Sequence, residues 1–364
     1  MLVHICCSVD SHFFLEKLQK DYPHEKLTGF FYDPNIHPYA EYKLRLLDVQ
    51  RSCKKLGIEL LEGEYDYRSW LDAVKGLEQE REKGKRCEVC FDKRFEVSAN
   101  KALELGEKTF TTTLLVSPLK SQEQLKNSGE AYEKKHGIKF IAVDYRSGGG
   151  TQDQSRVTKE EQLYRQDYCG CFFALNKQRQ QQNVLMDEMF SPISSAVLPA
   201  SIEERLEFYN HRMKLEDKGV KYKIIKQKFL NYRIFSSRLI IDKKEVIPSH
   251  VLPYSILKRK KTTGSIEFEF NNIHYLNKDE IKLISLDYYN KLAKTEYKNV
   301  IELIYDPQNF ENELKIRNLI LNTKNSSILD LSPIVIVDFI PDAKIILELD
   351  AKIYEDTKEE LILL

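Results

Sequence analysis

The 364-residue chain has no apolar run long enough to cross a membrane, and its N-terminus lacks the apolar stretch of a secretory leader. The expectation is a cytoplasmic protein with no membrane partner. Net charge is missing too. The 56 Lys and Arg balance the 56 Asp and Glu, so global charge argues neither for nor against nucleic acid. No internal repeat is visible, and neither a G-x-G-x-x-G fingerprint nor a phosphate-binding lysine loop occurs. Cysteine is absent beyond Cys171.

Before that point cysteine is unusually ordered. Six of the seven fall into tight pairs: Cys6-Cys7, Cys87-x-x-Cys90 and Cys169-Gly170-Cys171. In a reducing compartment such pairs point to metal or redox chemistry rather than structural disulfides. Cys53 stands alone in a helix-like stretch and reads as a packing residue.

Strand and helix patterns alternate through about residue 185. Strands are expected at Leu2–Cys7, Leu27–Asp33, Ile58–Glu62, Lys108–Leu115 and Ile138–Tyr145. Between and after them come helices over Tyr39–Leu56, Tyr65–Gly76, Cys87–Leu105 and Gln122–His136, a stretch reaching Tyr168, and a Gln-rich helix ending near Gln182. This alternation predicts a parallel sheet with helices on both faces. Near Ser191–Pro192 the character changes, and residues 190–364 read as a separate α+β domain of unknown type. Within it, Arg212 to Lys261 carries 15 Lys and Arg against 4 Asp and Glu, a basic, aromatic-rich stretch suited to RNA or to a solvated strand face.

Side chains alternate along a strand, so two adjacent cysteines face one ligand only where the strand ends and the backbone bends. In open α/β sheets that end is the ligand crevice. A C-x-x-C at a helix start keeps both sulfurs within one turn, where the positive helix end favours thiolates. Glycine between Cys169 and Cys171 lets both sulfurs face one side. Six thiols exceed the four of a zinc or a cubane cluster, and the surplus pair reads as a redox dithiol or the ligands of a second metal.

The motifs His4-Ile5-Cys6-Cys7, Phe31 to Pro38 (F-Y-D-P-N-I-H-P), Arg86-Cys87-Glu88-Val89-Cys90-Phe91, Thr111 to Leu114 with Ser117-Pro118, and Leu163 to Cys171 occur in an order and spacing that resembles the QueH family, the cobalamin-independent epoxyqueuosine reductases. The resemblance covers about residues 1–180. It implies a Rossmann-like, HUP-type α/β fold for a catalytic domain over 1–185. It implies reduction of the epoxide of epoxyqueuosine in tRNA to queuosine, and no cobalamin. It also implies a [4Fe-4S] cluster on Cys6, Cys7, Cys87 and Cys90. Cys169 and Cys171 match the family's second pair, either a redox-active disulfide or ligands of an additional mononuclear iron whose place zinc can take, with Asp10 at the matching carboxylate position. Relatives often carry C-C-x-P-C here, whereas this chain has Cys6-Cys7-Ser8-Val9-Asp10, and Asp10 reads equally as a helix N-cap.

Loss of the epoxide oxygen as water needs an acid. Among His37, Asp33, Tyr32 and Tyr164, His37 in its proline-flanked loop is the first candidate. The partners expected are tRNA carrying epoxyqueuosine and an unidentified electron donor. Two other classes fit the cysteines: a zinc-stabilised, non-catalytic RNA-binding protein, and a different cysteine-dependent tRNA-modifying enzyme on the same fold.

Overall fold

The computed structural model describes residues 1–118, 120–190, 196–321 and 330–364. The chain divides into two compact units. The first comprises Met1–Met189, Arg205–Ile224 and Leu361–Leu364; the second comprises Phe190–Glu204 and Ile225–Glu360. The change of character expected at Ser191–Pro192 lies outside the described residues.

The first unit is a mixed α/β structure around one parallel sheet. In chain order it runs β1 (Leu2–Ile5), α1 (Ser8–Asp21), β2 (Thr28–Phe31), α2 (Tyr39–Leu56), β3 (Glu59–Glu62), α3 (Tyr67–Ala73), α4 (Lys85–Glu104), β4 (Thr109–Thr112), α5 (Gln122–His136), β5 (Lys139–Phe140), α6 (Gly150–Glu160) and α7 (Phe172–Gln182). Then comes α8 (Ile202–Asp217), which joins this unit from Arg205 onward. The strand order is β3-β2-β1-β4-β5, and every pairing is parallel. The order reverses between β1 and β4, so a crevice opens at the carboxyl ends of those two strands. β1 is fully buried along its length, and α1 packs against α2 and α6 while α4 packs against α5.

Helix α2 spans the expected residues. It stops where Gly57 takes the left-handed conformation (φ 68°), and the Gly57 N–H caps the last turn. The strand expected over Ile138–Tyr145 pairs only at Lys139 and Phe140. It is the sheet edge, and Asp144 accepts hydrogen bonds from the Arg146 and Ser147 amides, which turns the chain away. The helix expected to reach Tyr168 ends at Glu160, because Gln162 adopts a left-handed φ of 49°. Cys53 is 1% exposed in the core, as expected.

The second unit has two sheets. In chain order its elements are β6 (Tyr222–Ile241, which belongs to this unit from Ile225 onward), β7 (Glu245–Ile247), β8 (Ser249–Val251), β9 (Lys261–Gly264), β10 (Ile266–Phe270), β11 (Ile273–Leu276) and β12 (Lys282–Ser285). After these come α9 (Leu286–Ala293), α10 (Val300–Tyr305), α11 (Phe310–Ile320), β13 (Ile334–Val337) and β14 (Ile345–Leu363). One sheet has the order β10-β11-β12-β13-β8 and is antiparallel except for β12 with β13. The other has the order β7-β6-β14-β9. β6 carries five basic and no acidic residues, and its neighbour β14 carries six acidic residues. Arg238 and Lys261 both pair with Glu348, and Lys260 pairs with Asp350. Arg233 is buried and donates to the carbonyls of Tyr232 and Pro199. Part of the basic stretch, Arg233, Arg238, Lys260 and Lys261, is thus already partnered within the protein. Among the described residues, no helix is long and apolar enough to cross a membrane.

Candidate metal centre

β1 ends at Ile5 and β4 at Thr112, so the residues that follow them meet at the reversal of the sheet. Cys6 Sγ lies 3.9 Å from Thr113 Oγ1, 3.8 Å from Cys7 Sγ and 3.7 Å from Asp10 Oδ2. The ligand atoms of Cys6, Cys7 and Asp10 all fall within 4.8 Å of one another. The bend after β1 therefore lets both sulfurs approach one carboxylate, which a regular strand forbids. Cys7 occupies the N-cap position of α1, and Asp10 sits in that helix's first turn, so Asp10 is not the cap. It accepts a hydrogen bond from Gln154 Nε2 on α6 at 2.8 Å.

The same crevice forms a cavity of about 110 Å³, lined by Cys6, Asp10, Cys87, Cys90, Cys169 and Cys171 among others. Five of the six paired thiols line it, and Cys7 stands behind Cys6. Three helix starts bring them there: Cys7 at the N-cap of α1, Cys87 in the first turn of α4, and Cys171 at the N-cap of α7. Their positive ends favour thiolates. Arg45, Arg86, Arg94 and Lys120 complete a cationic lining.

The Cys169–Cys171 turn is held by the proline-flanked loop that follows β2. Asn35 Nδ2 donates to the Cys169 carbonyl, the His37 amide to the Gly170 carbonyl, and the Tyr168 hydroxyl to the His37 carbonyl. Gly170 has φ +100°, and a Cβ there would stand 2.7 Å from Ile36 Cγ1, so only glycine fits between the cysteines. A buried pair on α2 fastens the turn from below. Arg45 Nε donates to Glu41 at 2.7 Å, Arg45 Nη2 to the Tyr168 carbonyl at 3.1 Å, and the Tyr164 hydroxyl to Glu41 at 2.8 Å.

Burial and charge set the protonation states. Cys169 is held well below the ordinary thiol range, first by a hydrogen bond from Cys171 and then, against burial, by Lys120; Cys171 is pushed up as the donor. Cys6 is raised by its contact with Cys7 and by burial. Asp10 is raised by burial despite the Gln154 amide. Burial pulls Lys120 down, but Cys169, Cys87 and Cys90 outweigh it and keep the ammonium charged.

The four acids singled out in the sequence lie off the cavity lining. Burial raises Asp33 to about 7, against the Arg94 guanidinium 2.8 Å away. Burial raises Tyr32, and Tyr164 is spent on Glu41. The His37 ring stacks on Tyr67 at 4.7 Å and is shifted down by burial. Arg86, beside the C-x-x-C, is 2% exposed and donates to the carbonyls of Leu77, Glu78 and Glu80. Asp167 pairs with Arg179. Sequence reasoning missed Lys120, Arg94 and the Glu41–Arg45 pair. The i,i+4 spacing of Glu41 and Arg45 was the available signal, but it reads equally as a surface ion pair.

A crevice of this build suits a thiolate-bound metal or a dithiol in an α/β protein. The family model described as epoxyqueuosine reductase QueH matches residues 1–177. An epoxyqueuosine reductase QueH of Helicobacter pylori is 37% identical over 98% of this chain and 98% of its own. That of Thermotoga maritima is also 37% identical, over 50% of this chain and 92% of its own. The chain belongs to the epoxyqueuosine reductase QueH family of oxidoreductases. Among solved structures, the U34-tRNA thiolase NcsA of Methanococcus maripaludis with its [4Fe-4S] cluster aligns with a TM-score of 0.30 at 12% identity, over 59% of this chain and 72% of that one, a likeness too slight to carry an argument.

Proposed function

We propose that this protein reduces the epoxide of epoxyqueuosine in tRNA to the alkene of queuosine. The observation that carries the reading is one cavity, at the reversal point of a parallel sheet, lined by cysteines from all three pairs. The Thermotoga relative supports confining the chemistry to a HUP-type catalytic domain over residues 1–185, since its match spans half of this chain yet nearly all of its own. Residues 190–364 are then an accessory domain.

The donor set fits an anionic iron–sulfur group: clustered soft thiols, three positive helix ends and four cations. Cys6, Cys7, Cys87 and Cys90 would hold a [4Fe-4S] cluster, leaving Cys169 and Cys171, with Asp10, for a second iron or a redox dithiol. When bound, the cluster supplies electrons singly, and an iron with an open position supplies Lewis acidity. The overall conversion takes up two electrons and two protons and releases the epoxide oxygen as water. Gln154 orients the Asp10 carboxylate. The Glu41–Arg45 pair and Gly170 keep the second cysteine pair turned to the cavity. Lys120 lines the cavity, a place that His37 does not share, and its ammonium would donate a hydrogen bond to the departing oxygen.

The test is iron and sulfide content, with turnover of epoxyqueuosine-containing tRNA, for anaerobically purified parent and Cys169→Ser/Cys171→Ser protein. About four irons and four sulfides, plus one further iron lost in the variant, support a cluster with an adjacent iron. Unchanged iron with lost turnover assigns the pair as a dithiol. Zinc without sulfide, and no turnover, overturns the reading in favour of a zinc-stabilised RNA-binding protein.

A further inference from the structure

Beside the cysteine cavity a row of aromatic rings runs from the protein surface to the cavity wall. Tyr39, at the start of α2, is 48% exposed and lies 4.9 Å from Tyr65, its ring tilted 52° to that of Tyr65. Tyr65 and Tyr67 are parallel to within 7° at 6.0 Å. Tyr67 stacks on His37 at 4.7 Å and on Trp70 at 5.7 Å. Trp70 is fully buried and lines the cavity, and its indole Nε1–H has no hydrogen-bond partner among the described residues. A buried indole N–H ordinarily finds an acceptor. That of Trp70, a residue of the cavity lining, has none among the described residues and is available to a ligand.

His37, Tyr65 and Tyr67 are half-buried, so the row leaves part of its aromatic surface to solvent. Cations flank it. Lys43 Nζ sits 5.4 Å over the Tyr39 ring, and Arg68 is exposed beside Tyr67. Solvent-facing aromatic rings with cations at their margin are how proteins bind unpaired nucleobases, because every base offers a π face. A base in a helical stack also cannot reach a recessed reactive centre without leaving the stack.

We propose that this row is a stacking platform for unpaired RNA bases, with the nucleotides next to the modified one on Tyr39, Tyr65 and Tyr67 and the modified base turned past Trp70 into the cavity. The proposal rests on the reading of that cavity as the site of epoxide reduction. It assigns loop recognition to the first unit rather than to the basic strand β6, where Arg238 is committed to Glu348 and Arg233 to backbone carbonyls. Single-stranded loop RNA is the partner, and a paired helix is not.

The test measures binding by anisotropy of an unmodified anticodon stem-loop RNA and of a fully paired duplex of equal length. It compares parent protein with Tyr39→Ala, Tyr67→Ala and Tyr39→Phe, with iron and sulfide content checked in each. The parent should prefer the loop. Each alanine variant should weaken loop binding about tenfold at unchanged cofactor content, and Tyr39→Phe should restore it. The slope of affinity against salt should stay the same, since no phosphate contact is removed. Equal loop affinities in parent and both alanine variants would overturn the platform, as would an equal loss on duplex and loop. Binding of unmodified RNA needs no turnover. A parent that fails to reduce epoxide but shows the tyrosine effect therefore loses the catalytic reading and keeps the platform. Normal turnover with unchanged loop affinity does the reverse.

Discussion

Around the cysteine cavity, Arg45, Arg86 and Arg94 are each under 5% exposed, and their guanidiniums are committed to buried carboxylates and backbone carbonyls. In the second unit Arg238, Lys260 and Lys261 are more than half exposed, although Arg238 and Lys260 lie as near their carboxylates, at 2.6 and 2.5 Å, as the buried arginines do. Distance alone therefore does not rank these contacts. A buried charge has lost its water and depends on its partner, whereas an exposed one exchanges a partner for solvent at little cost. The first unit uses charge to fix the turn that carries Cys169 and Cys171, and the second uses it to cover a sheet.

The strongest way to break this comparison is Glu41→Ala. Glu41 is 1% exposed and accepts from both Arg45 and Tyr164. Its removal leaves a buried guanidinium without its carboxylate and a buried hydroxyl without its acceptor, and should cost about 3–5 kcal/mol, read as a lowered urea midpoint. Because Arg45 also holds the Tyr168 carbonyl, the iron proposed above for Cys169 and Cys171 should, where that proposal holds, fall further than iron bound elsewhere. A midpoint equal to the parent's would mean the pair is dispensable and the turn is held by the proline-flanked loop alone.

The cysteine pairs were legible because their chemistry is local: a C-x-x-C or C-x-C announces itself within four residues. The alternation that produced the parallel sheet was legible for the same reason, as was the end of α2 at Gly57. What stayed hidden depends on distant partners. Nothing in Glu41 and Arg45 tells that Tyr164, 123 residues on, will close over them. Tyr65, Tyr67 and Trp70 come from one short stretch, yet their row is completed by Tyr39 and Phe173. The basic stretch read as suited to RNA or to a solvated strand face; its acidic neighbour was not legible, because that strand comes last in the chain and strand adjacency is not written in either strand's composition.

A smaller effect sharpens the comparison through pH. Burial lifts Asp33 to about 7 even with Arg94 beside it. A folded carboxyl above its unfolded value near 3.9 binds its proton more tightly in the folded chain. Its contribution to stability is therefore best below about pH 4 and declines as pH rises toward 7. The stability of the parent minus that of Asp33→Asn, from urea unfolding at a series of pH values, should fall across that window and level off above it. Glu348 runs the other way. Its hydrogen bonds from Lys261 and Arg238 hold it below the usual range, so its contribution is present above its unfolded value and lost as pH falls. A difference curve for Asp33 that rises with pH would show that Arg94, not burial, governs that carboxyl.

The smallest effect belongs to the second unit. Lys260 and Asp350 lie 2.5 Å apart with Lys260 78% exposed, and Arg238 reaches Glu348 at 2.6 Å while 62% exposed. Both pairs are open to solvent and screened by salt, and both give up side-chain entropy to hold their geometry. Lys260→Ala and Arg238→Ala should each leave the urea midpoint within the scatter of repeat measurements. A double-mutant cycle of Lys260 with Asp350 should give a coupling that vanishes at high salt. A coupling that survives high salt would mean that this face of the sheet is shielded in the working protein, as it would be beneath a bound partner. The acidic and basic strands would then be an interface rather than a solvated cover.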